Sequence, residues 1–171
     1  MSRILEGLLL AVLTVSLASA QSGAKKPIEG VWKVTEIAVT GPNASNNANA
    51  QPSLFIFAQQ HYSLMYVPGN KPRTLYKAEA PTNEEKIAAF DSLIANTGTY
   101  EISGSTLTIH PIVARNPNFM AGGSDKYQYR IDGTTLTLTE KSTDLTTRIG
   151  NRLVPASGPA GETRLKLVRV E

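Results

Sequence analysis

The chain has 171 residues, with 17 Lys and Arg against 14 Asp and Glu, and its net charge of +3 is too mild to indicate a nucleic-acid-binding protein. Its length predicts a single domain. The sequence contains no cysteine, which excludes disulfide bonds, thiol chemistry, Cys-based metal sites and lipid attachment at a cysteine.

The first twenty residues have the pattern of a secretory signal peptide. A short basic start precedes a compact apolar run at residues 8–17, and Ala18-Ser19-Ala20 forms an A-x-A cleavage site. Cleavage is predicted before Gln21, so the protein is expected to be periplasmic or secreted, with neither a lipid anchor nor a membrane span. A retained anchor is the alternative, but the run is too short to span a bilayer comfortably.

The first long strand is predicted at residues 30–40, where Trp32, Val34 and Glu36 share one face. Glu36 has two interpretations, a buried acid inside the fold or a rim carboxylate paired with a basic residue. The segment 41–51 is rich in Asn, Ala and Ser and is expected to be a loop.

Two strands at residues 53–58 and 62–67 are predicted to form a hairpin, with a further strand at 73–78. Both faces of this hairpin are apolar, so a covering element is expected on its outside. One face has Phe55, Phe57, Tyr62 and Leu64, and the other has Leu54, Ile56 and Met65.

A helix is predicted from Thr82, because Thr82 and Glu85 match a capping box, and it is expected to end at residues 96–98. This helix is the candidate cover for the preceding hairpin. The apolar residues that recur at helical spacing are Ile87, Phe90 and Ile94.

Two further hairpins follow, with turns at Gly104-Ser105 and Asp132-Gly133. Each has one apolar, tyrosine-rich face and one Thr-rich face, the pattern of an antiparallel sheet with one wet side. The predicted register pairs Tyr100 with Ile109, Ile102 with Leu107, Tyr129 with Leu136, Tyr127 with Leu138 and Ile131 with Thr134.

The segment 141–161 is polar and rich in Pro and Gly, with a short strand predicted at 146–149, and the last strand is predicted at 163–170. Three basic residues alternate with apolar ones in that last strand. They are interpreted either as a patch for nucleic acid or anionic lipid or as an ordinary charged strand, and the latter is favoured. These residues are Arg164, Lys166 and Arg169.

Together these elements predict an all-β protein, an antiparallel barrel of about eight to nine strands with one helix, or alternatively a sandwich. A barrel of this size can hold one small ligand. Residues 21–29 are expected to be a tether, and residues 30–171 the barrel domain.

The motif Gly30-Val31-Trp32 resembles the Gly-x-Trp that opens the first strand of lipocalins. In those proteins a basic residue from the end of the barrel packs on the Trp, and Arg169 is the match. The middle of the chain resembles more specifically the bacterial lipocalin-like domain family, whose members are exported and mostly without an assigned activity. The segments that carry this resemblance are 88–90, 98–102, 115–119 and 133–138.

The resemblance implies the fold more than an activity. Many family members have a His near position 109 or 110 and an Arg near 127, where this chain has Ile109-His110 and Tyr127. With Tyr in place of Arg, no carboxylate anchor is expected at that point, so neutral lipophiles or aromatics are expected to bind better than fatty acids.

The sequence offers little for catalysis. Its two histidines, His61 and His110, are too few for a metal site, and neither a nucleophile motif nor a phosphate loop is present, so no metal or other cofactor is expected. His110 faces outward in the predicted register, although a bulge at Pro111 would turn it toward the cavity mouth.

The inward tyrosines are interpreted either as large core residues or as the lining of an apolar cavity that offers hydroxyls to a ligand. The candidate ligand-binding residues are Tyr100, Ile109, His110, Tyr127, Tyr129, Leu136, Phe57 and Tyr62. The candidate residues for closing the barrel are Gly30, Trp32 and Arg169.

Three functions remain open at this point. The first is an exported protein that binds a small lipophilic molecule in its barrel. The second is a cofactor-free enzyme of the cyclase, isomerase or hydratase type, and the third is a protein-interaction module. A buried carboxyl or His with a strongly shifted pKa would favour the enzyme. A dry, uncharged cavity would favour the binding protein, which acts as a carrier of its ligand, and a barrel filled by its own side chains would favour the protein-interaction module.

Overall fold

The first and last strands of the fold pair with each other and close an antiparallel sheet into a barrel. A computed structural model describes residues 26–171. The predicted signal peptide and its cleavage site lie outside the described residues. In chain order the elements are β1 (Gly30–Val39), β2 (Ser45–Asn47), β3 (Ser53–Ala58), β4 (His61–Tyr66), α1 (Asn83–Asp91), β5 (Ile94–Ser103), β6 (Thr106–Ala114), α2 (Pro117–Met120), β7 (Asp125–Asp132), β8 (Thr135–Lys141), β9 (Thr146–Ile149), β10 (Arg152–Pro155) and β11 (Glu162–Arg169).

Eight of these strands form the barrel. β3 to β8 pair successively, β8 pairs with β11, and β1 pairs with both β11 and β3. The short β2 pairs with the far end of β1, and β9 and β10 form a separate hairpin. The predicted fold class is confirmed, as is the strand at 146–149, whereas residues 73–78 form no strand and α2 is a second, short helix.

The registers of the two later hairpins show how the faces are set. The first is as predicted, with Tyr100 opposite Ile109. The second turns at Gly133-Thr134, so Tyr129 lies opposite Leu138 and the predicted register is wrong by two residues. Gly133 has φ +57, which suits the first central position of a two-residue hairpin turn. Because side chains alternate with period two, a two-residue shift leaves every residue on its predicted face.

A β-bulge in β1 places the residues beyond Val34 on the opposite face of the sheet from the one predicted. Val34 pairs with Leu167 but Glu36 pairs with Lys166, so one extra residue lies between them. Trp32 and Val34 point into the barrel, while Glu36 lies beside Lys166 on the outer face. The prediction that Glu36 shares the face of Trp32 is therefore wrong, because a bulge changes the alternation beyond it.

Helix α1 begins as predicted and ends early. The Thr82 hydroxyl accepts a hydrogen bond from the Glu85 amide, and the Glu85 carboxylate accepts one from the Thr82 amide, which completes the capping box. The helix ends at Asp91, and β5 already pairs with β4 from Ile94 onward. The predicted end at residues 96–98 is wrong because that segment belongs to a central strand.

The helix does not cover the β3–β4 hairpin. None of its residues is buried, Ile87 is 61% exposed, and Met65 on the outside of the hairpin is 49% exposed. Arg115 holds the helix instead, since its guanidinium donates a hydrogen bond to the Phe90 carbonyl and lies 4.6 Å from the centroid of the Phe90 ring. The covering role predicted for α1 is therefore wrong.

Candidate functional site

One end of the barrel is sealed by the contact between Trp32 and Arg169. The guanidinium carbon of Arg169 lies 4.1 Å from the centroid of the fully buried Trp32 ring. The indole Nε1 donates a hydrogen bond of 2.8 Å to the carbonyl of Ile28, so the polar atom of the ring is satisfied inside the seal. A cation on an aromatic face combines electrostatic attraction with packing of the Arg stem.

Residues 26–29 form the rest of this seal. Arg169 donates hydrogen bonds of 2.6 Å to the carbonyls of both Glu29 and Pro27, and Ile28 is fully buried in the core. Gly30 has φ +143, and a Cβ there would lie 2.2 Å from Nη1 of Arg169. Only glycine fits between the guanidinium and the backbone at this point.

The middle of the barrel is filled by its own side chains. Among the candidate ligand-binding residues, Phe57 and Tyr100 pack edge to face with centroids 5.3 Å apart, beneath Lys26 at the sealed end. Burial raises the pKa of Tyr100 to about 12, with a smaller contribution from the charge of Glu29. The candidates that are buried in this packed core are Phe57, Tyr62, Tyr100, Ile109 and Leu136.

The opposite end of the barrel contains a cavity of about 250 Å³. Tyr127 is the one predicted ligand-binding residue that lines it. The other lining residues are Leu64, Tyr66, Ile94, Ala95, Asn96, Ala114, Arg115, Asn116, Phe119, Asp125, Glu140, Leu145 and Thr147.

A buried carboxyl, that of Asp125, lines this cavity, and the residue is 5% exposed. Its Oδ2 accepts a hydrogen bond from the Tyr127 hydroxyl. Its Oδ1 has no hydrogen-bond partner among residues 26–171, and neither has the side-chain oxygen of Asn96 on the same cavity wall. Burial raises the pKa of Asp125 well above its usual value, and the charge of Glu140 adds to this.

A second carboxyl, that of Glu140, lines the same cavity. Burial raises its pKa to about 7, and the nearby Asp144 contributes in the same direction. The pKa of Tyr127 is raised by burial and then by the charges of Asp125 and Glu140. Burial and the same two carboxylates also raise the pKa of Tyr66, which the charge of Arg115 opposes. The cavity is thus apolar over most of its wall and acidic at one place.

Two predicted ligand-binding residues lie elsewhere. His110 is on the outer face, as the predicted register has it, with its side chain 48% exposed and Nε2 3.5 Å from the Glu101 carboxylate, so its alternative place at the cavity mouth is wrong. The bulge in β6 adds a residue after Pro111, at Ile112, and therefore does not turn His110 inward. Tyr129 is half-buried against the core and borders a polar groove outside the barrel.

The sequence interpretation missed Asp125, Asn96 and Glu140. The sequence did contain a signal for the two acids, because side chains two residues apart on a strand lie on the same face of the sheet. Asp125 precedes the inward-facing Tyr127 by two residues, and Glu140 follows the inward-facing Leu138 by two. The hairpin strands were predicted at residues 126–131 and 134–139, one residue short of Asp125 and of Glu140, so both acids were left in loops. Asn96 was assigned to the end of the helix.

These features define a class of protein. A closed antiparallel barrel with a Gly-x-Trp first strand, sealed by an Arg at one end and hollow at the other, has the form of a lipocalin-like ligand-binding barrel. The sequence model of the lipocalin-like domain family matches residues 28–151, and the chain belongs to this family. No curated protein matches the sequence.

Two further properties concern membranes and metals. Within residues 26–171, none of the helices has the length and hydropathy needed to cross a bilayer. The same part of the chain contains no group of three or more His, Asp or Glu side chains arranged to hold a metal ion.

Proposed function

We propose that this chain is an exported barrel protein that binds a small, mainly apolar molecule in the cavity at the unsealed end. The proposal is supported by the cavity of about 250 Å³, in which Leu64, Ile94 and Phe119 surround a few convergent polar groups. Ligand sites in proteins have this composition, and the pockets that bury drug-sized ligands have volumes of about 300–1,000 Å³. The volume therefore favours a compact molecule over a long acyl chain.

The position of the cavity differs from the one that the sequence suggested. The proposed ligand contacts Tyr127 but neither Tyr100 nor Tyr129, because Tyr100 is buried in the packed middle and Tyr129 borders the outer face. The interaction-module interpretation required a filled barrel, and the cavity gives it no support.

The test is displacement of a neutral fluorescent probe, N-phenyl-1-naphthylamine, from the mature protein by a panel of small apolar compounds. Ala114 lies on the cavity wall, so Ala114→Phe is expected to fill the cavity and abolish saturable binding. The matched control is Val113→Phe, because Val113 is exposed on the outside of the same strand. Equal binding by wild type and Ala114→Phe would overturn the proposal.

A second candidate function is an enzyme, which the buried carboxyls with raised pKa favour by the criterion stated in the sequence analysis. Asp125, hydrogen-bonded by Tyr127, and Glu140, whose pKa is about 7, lie on one cavity wall. A carboxyl with a pKa near neutrality is suited to general acid–base chemistry. This pair supports a cofactor-free isomerase or hydratase acting on the same ligand.

Turnover distinguishes the enzyme from the carrier. Compounds that displace the probe are incubated with the protein and then analysed by chromatography and mass spectrometry. An isomerase yields a product of equal mass and different retention, and a hydratase one that has gained water. Asp125→Asn is expected to abolish such conversion, whereas unchanged recovery of every bound compound would remove the enzyme from consideration.

A further inference from the structure

We infer that the cavity recognises the protonated amine of a compact amphipathic ligand, whose N–H groups donate to Oδ1 of Asp125 and to the side-chain oxygen of Asn96. The inference rests on the proposed function, since it assigns a chemical class to the ligand of that same cavity.

Two buried oxygen atoms on the cavity wall accept no hydrogen bond from residues 26–171. Asp125 is 5% exposed, and while its Oδ2 receives the Tyr127 hydroxyl, its Oδ1 has no donor among residues 26–171. The side-chain oxygen of Asn96 is likewise buried and without a donor in that part of the chain. Buried acceptors are rarely left unpaired in proteins, and both of these residues line the cavity. A ligand that carries several N–H donors satisfies both oxygens.

The charged side chains that line the cavity also favour a cationic ligand. Two carboxyls, Asp125 and Glu140, line the cavity, and Arg115 is the one Lys or Arg among the lining residues. Its guanidinium donates to the Phe90 carbonyl and lies over the Phe90 ring, so this cation is engaged by α1. Burying a carboxylate without a cation is unfavourable, and the carboxyl holds a proton instead. An ammonium ligand supplies the missing cation.

The raised pKa values of Asp125 and Glu140 mean that each carboxyl can lose a proton when a cationic ligand binds beside it. Burial and mutual repulsion raise the pKa of Asp125, and burial with the nearby Asp144 raises that of Glu140 to about 7. A bound ammonium lowers both pKa values, so binding at neutral pH releases protons. The other titratable or charged groups around the pair are Tyr62 and Tyr66 on β4, Arg115 after β6 and Tyr127 on β7.

The remaining wall limits the rest of the ligand. Leu64, Ile94, Phe119 and Leu145 surround the space, and the cavity of about 250 Å³ suits one aromatic ring or a short branched chain. An inorganic divalent cation fits poorly, because residues 26–171 provide no cluster of three His, Asp or Glu ligands.

The experiment uses three compounds of matched shape: 2-phenylethylamine, 2-phenylethanol and 3-phenylpropanoate. Isothermal titration of the mature protein near pH 7 is expected to give a Kd for the amine at least about 10-fold lower than for the alcohol, with the carboxylate weakest. Titration in buffers of different ionisation enthalpy is expected to show net proton release with the amine alone.

Variants locate the effect. Asp125→Asn is expected to raise the Kd of the amine at least about 10-fold and that of the alcohol less than about 3-fold. The matched control is Asp132→Asn, since Asp132 is an exposed carboxylate on the same strand, paired with Arg130. If Asp125→Asn does not fold, as judged by thermal melting, Glu140→Gln replaces it and is expected to reduce both the amine preference and the proton release.

The outcomes separate this inference from the function on which it rests. Binding of the alcohol as tightly as the amine, without proton release, overturns the inference and leaves the binding function standing. Failure of all three compounds and of the neutral fluorescent probe overturns both. An amine preference that survives Asp125→Asn and Glu140→Gln also overturns the inference, because the recognition then lies elsewhere.

Discussion

Arg169 and Trp32, near opposite ends of the described chain, meet with the guanidinium carbon 4.1 Å from the centroid of the indole ring. The two residues are directly opposed in the β1–β11 ladder that closes the barrel. Arg169 also binds the carbonyls of Glu29 and Pro27, so a single side chain joins the last strand, the first strand and the segment that precedes it. The stability of the barrel is therefore expected to depend on this seal.

Trp32→Ala is expected to lower the free energy of unfolding by about 3–5 kcal/mol, because a fully buried large ring is replaced by a cavity. Urea denaturation of the mature protein measures the change. Lys33→Ala is the matched control, since Lys33 is the exposed neighbour on the same strand. A midpoint that does not move with Trp32→Ala contradicts the sealing role.

Arg169→Lys tests the hydrogen bonds of the seal apart from its charge. Lysine keeps the cation but lacks the planar fork that reaches two carbonyls at once, so a loss of about 1–2 kcal/mol is expected. Arg164→Lys, at an exposed position of the same strand, is expected to change stability by less than about 0.5 kcal/mol. Equal effects of the two substitutions would show that the fork contributes nothing.

The bulge in β6 depends on Gly98. A Cβ at that position would lie 2.0 Å from the His110 carbonyl oxygen and 2.8 Å from the Ile112 amide nitrogen, both in the backbone of the partner strand. Gly98→Ala is therefore expected to destabilise the protein by more than about 2 kcal/mol. Gly158→Ala, where a Cβ meets nothing within 4 Å, is expected to be neutral. A wild-type melting temperature for Gly98→Ala would refute this account.

The hairpins and the barrel were predictable from the sequence because they depend on local alternation and turn chemistry. The face of Tyr127 survived a wrong register, since a shift of two residues preserves the side of the sheet. The bulge after Val34 was not predictable from the sequence. It arises where β1 pairs with both β11 and β3, and it does not change the hydrophobic periodicity of the sequence. That bulge moved Glu36 out of the barrel.

The candidate site was less predictable than the fold for a related reason. Asp125 and Glu140 lie at strand ends, where a charged residue is usually assigned to solvent. Their burial depends on long-range packing, because Phe119 from α2 and Leu145 from the β8–β9 loop line the same cavity. The alternation of side chains along a strand predicts which face of the sheet these two acids lie on. It does not predict that Phe119 and Leu145 lie beside them.

Removal of the predicted signal peptide is expected to give a mature protein that begins at Gln21. The reason is the apolar run that ends in Ala18-Ser19-Ala20, the pattern that signal peptidases cleave. Intact-mass measurement on protein secreted by an expression host decides the point. Replacement of Ala20 by a bulky residue is expected to block cleavage, and a mass that still includes residues 1–20 in the wild type would contradict the prediction.

The stability of the protein is expected to fall as pH rises from about 4.5 to about 7. The pKa of Glu140 is raised from 4.5 to about 7 in the folded state, and that of Asp125 is raised as well. Between the unfolded and folded pKa values the native state binds more protons than the unfolded chain, so the contribution of each group is present at low pH and is lost as pH rises. With about 1.4 kcal/mol for each unit of pKa shift, the rise from 4.5 to about 7 corresponds to about 3 kcal/mol for Glu140.

Denaturant unfolding at several pH values across that window tests this dependence. Glu140→Gln is expected to flatten the dependence of unfolding free energy on pH, because a neutral amide cannot exchange a proton. Asp125→Asn is expected to flatten it as well, because the pKa of Asp125 is also raised, by burial and by the charge of Glu140. Asp132→Asn, at an exposed position of β7 beside Arg130, is the control and should retain the wild-type slope. Saturating 2-phenylethylamine is expected to flatten the wild-type slope as well, because a bound ammonium stabilises the ionised carboxyls that the empty cavity disfavours. Stability that rises with pH through this window would show that the two carboxyls are already ionised in the folded protein.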